Sequence, residues 1–438
     1  ENSLKPTLLS EFKAFDIWYS ADDSFGTPKS NLFVTIRSPA PTLSARNLNL
    51  SELLVSMLKD ALNEFSYPAY LAGLNYELYN HTRGVTIKIS GYNDKQSVLL
   101  DKIIATLKQT KFSPDRFAII KERLQRGLEN AKDEKPFRQA IAKSQHTLLK
   151  PSWSDEERLE ALEMLSLADL SKFRTLFLAE MDMAMLSSGN VTKETSLAIA
   201  RELNNALLKE AKKVTVDRCN VRKLEGKTSL FETVQVSHPD TGFIYYIQAK
   251  DKSYRTRAMM SLINQIISTD YYSQIRTEKQ LGYIVFATNF NLLKVPGIAF
   301  IVQSPNVDGE TLYDETRTFL EQQVTTLEQI DAKQLEQYQD AVISKLLKKD
   351  TTLYQRSNKF WAEIDDKNAA FDTNQQLANA VSSFTVKDLT LFYNELINNT
   401  GNALLTYTVK ENETNTEIKK EGFLHLNELS NSSKSNFH

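Results

Sequence analysis

The chain is poor in the residue types that build disulfide frameworks and metal clusters. Its 438 residues include five histidines and one cysteine, Cys219, so an intramolecular disulfide is excluded. The charge is nearly balanced, with 53 Lys and Arg against 55 Asp and Glu. The sequence has no long block of basic residues of the kind that would indicate a nucleic-acid partner. A run of about 18 apolar residues, which a membrane-spanning helix needs, is also missing. We therefore expect neither nucleic acid nor membrane as a partner.

Local motifs for catalysis are equally scarce. The sequence contains no Gly-x-Ser-x-Gly and no Gly-rich phosphate loop ahead of Lys-Ser or Lys-Thr. The segment HLNEL, which starts at His425, matches the zinc motif His-x-x-Glu-His over four positions. Leu429 stands where the second histidine would be, and leucine cannot bind a metal. We predict no metal site in this chain.

What the chain does contain is ordinary globular composition, with 41% hydrophobic and 25% charged residues. Its length exceeds what one hydrophobic core usually supports, so two or three domains are expected. The first residue is Glu1 rather than methionine, which indicates a processed chain or a piece of a larger protein.

An internal repeat is the strongest pattern in the sequence. Alternating strand-like segments, helical runs and capping signals recur in the same order, at offsets that drift only from 209 positions between Gly73 and Gly282 to 219 between Asp169 and Asp388. The matched segments are NLFVTIRSP with GFIYYIQA, GVTIKIS with GIAFIVQ, and SLADLSKF with TVKDLTLF. A recurrence of this length indicates two copies of one structural unit.

The repeat predicts an α+β fold of two homologous domains, residues 1–220 and 221–438. Helical runs interrupted by strand pairs favour helices packed on one face of a mainly antiparallel sheet in each copy. The polar segment 212–231 is interpreted as the linker together with the first edge of the second copy.

The segment QIRTEKQLGY, residues 274–283, places Arg276 seven positions before Tyr283. From the residues alone, a tyrosine at the start of the apolar run YIVF is most often a strand residue with its ring in the core. Arg276 alone would be a solvated charge at a helix end, and Glu278 and Lys279 would be solvated or paired charges. The residues by themselves leave a functional role open.

Two signatures resemble the pitrilysin and insulin-degrading-enzyme family of zinc metallopeptidases. RTEKQLGYIVF, at 276–286, with YYSQI before it and GIAFIVQSP after it, resembles the C-terminal half of that family. LKDALNEFSYPAYLAGLNYEL, at 58–78, together with GYNDKQ, resembles its third domain. The resemblance covers essentially the whole chain in the right order.

The resemblance implies a fold and a set of roles. Family members have four homologous α+β domains in two halves, and their zinc is bound by a His-x-x-Glu-His helix in the first domain. The cofactor zinc would thus have its ligands outside this chain, and none within it. Carried over by motif, Arg276 would bind the substrate backbone, and Tyr283 would bind the scissile carbonyl and stabilise its oxyanion. Gly282 would allow the turn that directs Tyr283. The first copy has Leu74 in the place of Tyr283 and would keep the fold without the site.

The function implied is that of the C-terminal half of a zinc-dependent endopeptidase that encloses and hydrolyses short peptides. Its partners would be a peptide substrate and the N-terminal catalytic half of the same polypeptide, without which the chain is predicted to be inactive. The alternative is a non-catalytic binding or scaffold subunit paired with a separate active peptidase chain. A free-standing enzyme of another mechanism is disfavoured by the missing motifs. The pattern favours the periplasm over the cytosol.

Overall fold

The computed structural model describes residues 4–411, 421–428 and 436–438. The chain forms two compact units. Unit 1 consists of Glu1–Glu129, Ser152–Cys219 and Lys349–Phe371, and unit 2 consists of Asn130–Pro151, Asn220–Lys348 and Asp372–His438. The predicted domains 1–220 and 221–438 are contiguous, whereas each compact unit includes one segment from the other half of the sequence.

Strands account for the alternating segments of both halves. In chain order they are β1 Thr7–Leu8, β2 Phe15–Ala21, β3 Lys29–Arg37, β4 Leu74–His81, β5 Gly84–Tyr92, β6 Leu149–Lys150, β7 Glu180–Gly189, β8 Lys212–Lys213, β9 Asn220–Val221, β10 Ser229–Val236, β11 Thr241–Gln248, β12 Ile284–Asn289, β13 Gly297–Ser304, β14 Ala403–Lys410 and β15 Phe423–His425.

Helices fill the intervals between these strands. They are α1 Ala45–Leu71, α2 Gln96–Gln109, α3 Pro114–Asn130, α4 Pro136–Leu148, α5 Asp155–Leu162, α6 Leu167–Ala179, α7 Lys193–Leu203, α8 Tyr254–Tyr272, α9 Gly309–Glu328, α10 Ala332–Leu346, α11 Leu353–Asp365, α12 Thr373–Ser383 and α13 Val386–Asn398. Within the described ranges, none of them is both long and apolar enough to cross a membrane.

The five long strands of the two main sheets have the same order, β4-β5-β3-β7-β2 in unit 1 and β12-β13-β11-β14-β10 in unit 2, which confirms the predicted repeat and fold class. The sixth strands differ, because β1 is antiparallel to β2 and β15 is parallel to β10. Unit 1 orders its sheet β1-β2-β7-β3-β5-β4, and unit 2 orders its sheet β12-β13-β11-β14-β10-β15. In each sheet, the strand that follows the long helix (α1 in unit 1, α8 in unit 2) pairs antiparallel with the next strand, as β4 does with β5 and β12 with β13. In each, the returning strand runs parallel to the first long strand, β7 with β2 and β14 with β10.

The predicted capping signals form at the start of two equivalent helices. Ser166 accepts a hydrogen bond from the backbone N–H of Asp169, whose side chain accepts from the N–H of Ser166, and this box opens α6. Thr385 and Asp388 form the same box at α13. Because each box satisfies two N–H groups that the helix cannot pair internally, the same four-residue pattern starts the same helix in both copies.

Each main sheet is apolar on both faces, so each needs a cover on both. In unit 2, Phe243, Tyr245 and Ile247 of β11 are buried against helices of the same half of the sequence. Ile244, on the opposite face, packs with Ala299 and Ile301 of β13 and with Ala140 of α4. Since neighbouring residues of a strand point to opposite faces, α4 covers the face that the other helices leave open.

Unit 1 covers the second face of its sheet in the same manner. Trp18, Phe33, Ala184 and Leu186 form a buried cluster with Trp361 and Ile364 of α11. Phe33 contacts Trp361 edge to face, with ring centroids 5.8 Å apart. The alternation of polar and apolar residues indicated one buried face, and the actual strands are buried on both.

We expect Trp361→Ala to lower the free energy of unfolding by roughly 3–5 kcal/mol, because it leaves a cavity over one face of the unit 1 sheet. Chemical denaturation followed by far-UV circular dichroism measures the change. The matched control is Met164→Ala, since Met164 is 85% exposed in the same unit and its removal should leave stability nearly unchanged. Equal stability of the two variants would contradict a supporting role for α11.

Candidate peptide-contact site

The segment that carries Arg276 and Tyr283 is held in an irregular backbone. Helix α8 continues into a π-helical stretch, Ser273–Glu278, a rare conformation that often occurs at functional sites. Ile275 anchors this stretch in the core with 1% exposure, and its carbonyl accepts a hydrogen bond from the N–H of Leu281 at 2.9 Å. Gln280 then takes a positive φ of 50°, which few residues other than glycine adopt. This turn brings the chain from α8 into β12.

Arg276 links the helix end to the start of the strand. Its Nε donates to the backbone carbonyl of Tyr283 at 3.1 Å, and its Nη1 donates to the Tyr272 hydroxyl at 2.7 Å. The guanidinium also lies over the Tyr272 ring, 5.4 Å from the centroid. These contacts use two of the five N–H groups of the guanidinium. Arg276 therefore holds the backbone of Tyr283 in place. Its other three N–H groups make neither of these two hydrogen bonds.

Tyr283 lies at the surface rather than in the core. Its side chain is 46% exposed, whereas Val285 and Ala287 of the following strand are buried. The hydroxyl donates a hydrogen bond to Oδ2 of Asp240 and accepts one from Nε2 of Gln303 at 2.5 Å. The ring position predicted from the residues alone, inside the core, is therefore wrong for Tyr283.

Gln303 is the buried support of this hydroxyl, with 1% exposure. Its Oε1 accepts a hydrogen bond from the backbone N–H of Phe137 at 3.2 Å. That N–H belongs to the first turn of α4, where backbone donors lack a partner within the helix. Because Oε1 must face Phe137, Nε2 must face Tyr283 and Asp240. Helix α4 therefore decides the orientation of the Gln303 amide.

The environment raises the pKa of the Tyr283 hydroxyl above its ordinary value. Partial burial contributes most, the hydrogen bond to Asp240 and the negative charge of that carboxylate act in the same direction, and the hydrogen bond from Gln303 opposes them. The phenol is thus neutral around pH 7 and keeps its proton. Tyr283 can act as a hydrogen-bond donor or acceptor there, but not as a base.

A family model described as the middle or third domain of peptidase M16 matches residues 1–161, and one described as the C-terminal lobe domain 4 of PQQ synthase PqqF-like proteins matches residues 262–361. Insulin-degrading enzyme of Homo sapiens is 29% identical over 398 residues, which cover 90% of this chain and 39% of that protein. A nardilysin-like protein of Arabidopsis thaliana is 28% identical over 404 residues, which cover 89% and 38%.

Over about 90% of its length, this chain is similar to members of the pitrilysin and insulin-degrading-enzyme family. The chain spans about 40% of the length of these relatives. The crystal structure of pitrilysin shares the fold with a TM-score of 0.87 at 22% identity, over 96% of this chain and 45% of that one. An inactive peptidase M16 domain from Pseudomonas fluorescens has a TM-score of 0.70 at 14% identity, over 93% and 98%.

Zinc, which the family resemblance implies, was considered for the part of the chain that the structure describes. Among residues 4–411, 421–428 and 436–438, no three His, Cys, Asp or Glu side chains come together as a metal site would require. His425, the start of the near-match to a zinc motif, lies on strand β15 rather than on a helix, and its ring is 5.6 Å from that of Phe231. Leu429 lies outside the described residues. These described residues do not fit a zinc ion.

The equivalent position in the first copy of the repeat has a core residue instead of a site. Leu74, which opens β4, is 4% exposed and packs in the main core of unit 1.

Lys279, interpreted as a solvated or paired charge, pairs with Glu315 at 2.6 Å. The motif sequence pointed to Arg276 and Tyr283 but missed Asp240 and Gln303. A glutamine at the end of the buried strand β13 was the one available signal for Gln303.

Gly282 has a different role from the predicted one. It does not lie in the left-handed region of φ, which Gln280 occupies instead. A Cβ atom on Gly282 would lie 2.6 Å from Cγ1 of Val302 and 2.7 Å from the carbonyl oxygen of Gln303. Glycine is needed here because the backbone approaches β13 too closely for any side chain.

We expect Gly282→Ala to lower the free energy of unfolding by roughly 1–3 kcal/mol, because the added methyl group forces β12 away from β13. Urea denaturation followed by circular dichroism measures it. Gly127→Ala is the control, since a Cβ atom on this helical glycine meets nothing within 4 Å and alanine should stabilise the helix slightly. A Gly282→Ala variant as stable as the control would contradict the close approach.

Proposed function

We propose that this chain is the C-terminal half of a zinc-dependent endopeptidase and that it binds peptide substrates through Arg276 and Tyr283. The zinc site would lie in the N-terminal half of the enzyme. The single observation that carries the proposal is the link between these two side chains. Arg276 bonds to the carbonyl of Tyr283, so two exposed side chains, a guanidinium and a phenol, are presented together.

The chemistry of peptide hydrolysis fits these two groups. Attack of water on an amide carbon places negative charge on the carbonyl oxygen, and a donor already aimed at that oxygen lowers the barrier. A tyrosine that is neutral at pH 7 supplies such a donor, and the raised pKa of Tyr283 keeps it neutral. The remaining N–H groups of Arg276 can bind peptide carbonyls with two parallel hydrogen bonds. The pair therefore suits substrate binding and oxyanion stabilisation.

The second candidate is a non-catalytic binding or scaffold subunit that assembles with a separate active chain. One observation favours it. The solved protein of P. fluorescens that is described as an inactive domain of the family matches this chain over 98% of its own length. In that case Arg276 and Tyr283 would contact a peptide without taking part in its hydrolysis.

Cleavage of an internally quenched peptide separates the two candidates. The chain is first assayed by itself in the presence of zinc. It is then assayed after mixing with a zinc-bearing N-terminal half from the family, which is either the upstream part of the same polypeptide or the product of a separate gene. We expect cleavage only in the mixture, with loss of activity on chelation of the metal. Peptide binding by this chain, with cleavage by the mixture no faster than cleavage by the first half alone, would favour the scaffold. Cleavage by this chain alone would contradict both candidates.

In the active mixture, we expect Tyr283→Phe to lower kcat by roughly 10²-fold, because one oxyanion donor is lost. Circular dichroism should show unchanged folding, since phenylalanine keeps the ring. The control is Tyr67→Phe, which removes the hydroxyl of a side chain that is 67% exposed and should leave kcat unchanged. Full activity of Tyr283→Phe would remove Tyr283 from the reaction.

A further inference from the structure

The Tyr283 hydroxyl has a single proton, and the structure gives that proton to Asp240. The phenol oxygen can donate one hydrogen bond and accept two. Gln303 occupies one acceptor position through Nε2, because its own Oε1 is taken by the N–H of Phe137. The proton must then point to the remaining partner, Oδ2 of Asp240. In this state Tyr283 offers an incoming peptide a lone pair and no proton.

Asp240 is well placed to keep this proton. It lies between β10 and β11, and its side chain is only 13% exposed. Nε2 of Gln303 is 3.4 Å from the same oxygen, Oδ2. The ring of His238 offers Asp240 no proton through Nδ1, since Nδ1 accepts the backbone N–H of Asp240 at 3.0 Å. Tyr283 is therefore the closest side-chain donor to this carboxylate, and a hydrogen bond to a charged acceptor is stronger than one to a neutral carbonyl.

We propose that Asp240 is a positioning residue that restrains Tyr283: a peptide carbonyl must displace the carboxylate before the hydroxyl can donate to it. This inference rests on the proposed function of Tyr283 as an oxyanion donor. It adds a residue that the motif does not contain. It also gives Gln303 a definite part, because Gln303 fixes the direction in which the hydroxyl proton points.

The contact is tested first in this chain alone by NMR of tyrosine labelled with ¹³C at Cζ, with Tyr283→Phe used to assign the Tyr283 signal. In Asp240→Asn the pKa of Tyr283 should fall, because a neutral amide replaces the carboxylate that raises it. Glu315→Gln is the matched control, since Glu315 pairs with Lys279 of the same segment and should leave the signal unchanged. An unchanged pKa in Asp240→Asn would overturn the restraint.

The consequence for catalysis is tested in the active mixture with Asp240→Asn, Tyr283→Phe and the double variant. We expect Asp240→Asn to raise kcat/KM roughly fivefold, because the hydroxyl is released from a charged acceptor to a weaker neutral one. The gain should vanish in the Tyr283→Phe background. A fall in kcat/KM, no change, or the same gain without the hydroxyl would each overturn the restraint.

The two proposals fail in different ways. If Tyr283→Phe keeps the full kcat, the proposed role of Tyr283 as an oxyanion donor is wrong. The restraint by Asp240 then has no effect on catalysis. If Tyr283→Phe loses activity while Asp240→Asn behaves as the wild type, only the restraint is wrong. Unaltered circular dichroism of Asp240→Asn separates either result from a loss of folding.

Discussion

Burial of both faces of each sheet is the constraint on which the remaining structure depends. The central strands carry large apolar side chains on each side, such as Phe243 and Ile244 in unit 2. A face of this kind left in water would cost about 25 cal/mol for each Å² exposed. One face of each sheet is covered by helices that follow its strands in sequence. The other is covered by a single helix from the opposite half of the sequence, α4 in unit 2 and α11 in unit 1.

This cover also reaches the candidate site. Because α4 lies against β11 and β13, its first turn meets the end of β13, where the N–H of Phe137 bonds to Gln303. Gly242 permits the approach, since a Cβ atom there would lie 2.1 Å from the carbonyl carbon of Pro136. Gln303 in turn orients the Tyr283 hydroxyl. A helix that unit 2 needs for its core therefore also orders a hydrogen-bond network at its surface.

The two copies show how one fold keeps or loses a site. The exposed Tyr283 immediately precedes β12 in unit 2, whereas the buried Leu74 opens β4 in unit 1. The preceding segments differ too, because α8 ends in a π-helical stretch that carries Arg276, whereas α1 ends at Leu71 and is followed by Gly73 with a φ of 78°. Strand order is conserved between the copies, since it depends on core contacts, while the turn before this strand is free to vary.

The sequence by itself determined the repeat, the α+β class, the capping boxes at Ser166 and Thr385, and the segment that holds Arg276 and Tyr283. These features depend on residues close together in the chain, where periodicity and capping leave a local record. Only the tertiary structure decided that α4 and α11 cover sheets of the other sequence half, and that Asp240 and Gln303 meet Tyr283. These pairings join residues 43 and 20 positions apart in the case of Tyr283, and 166 positions apart for Phe137 and Gln303. No local pattern encodes such contacts, because they arise only when whole elements pack to bury the sheets.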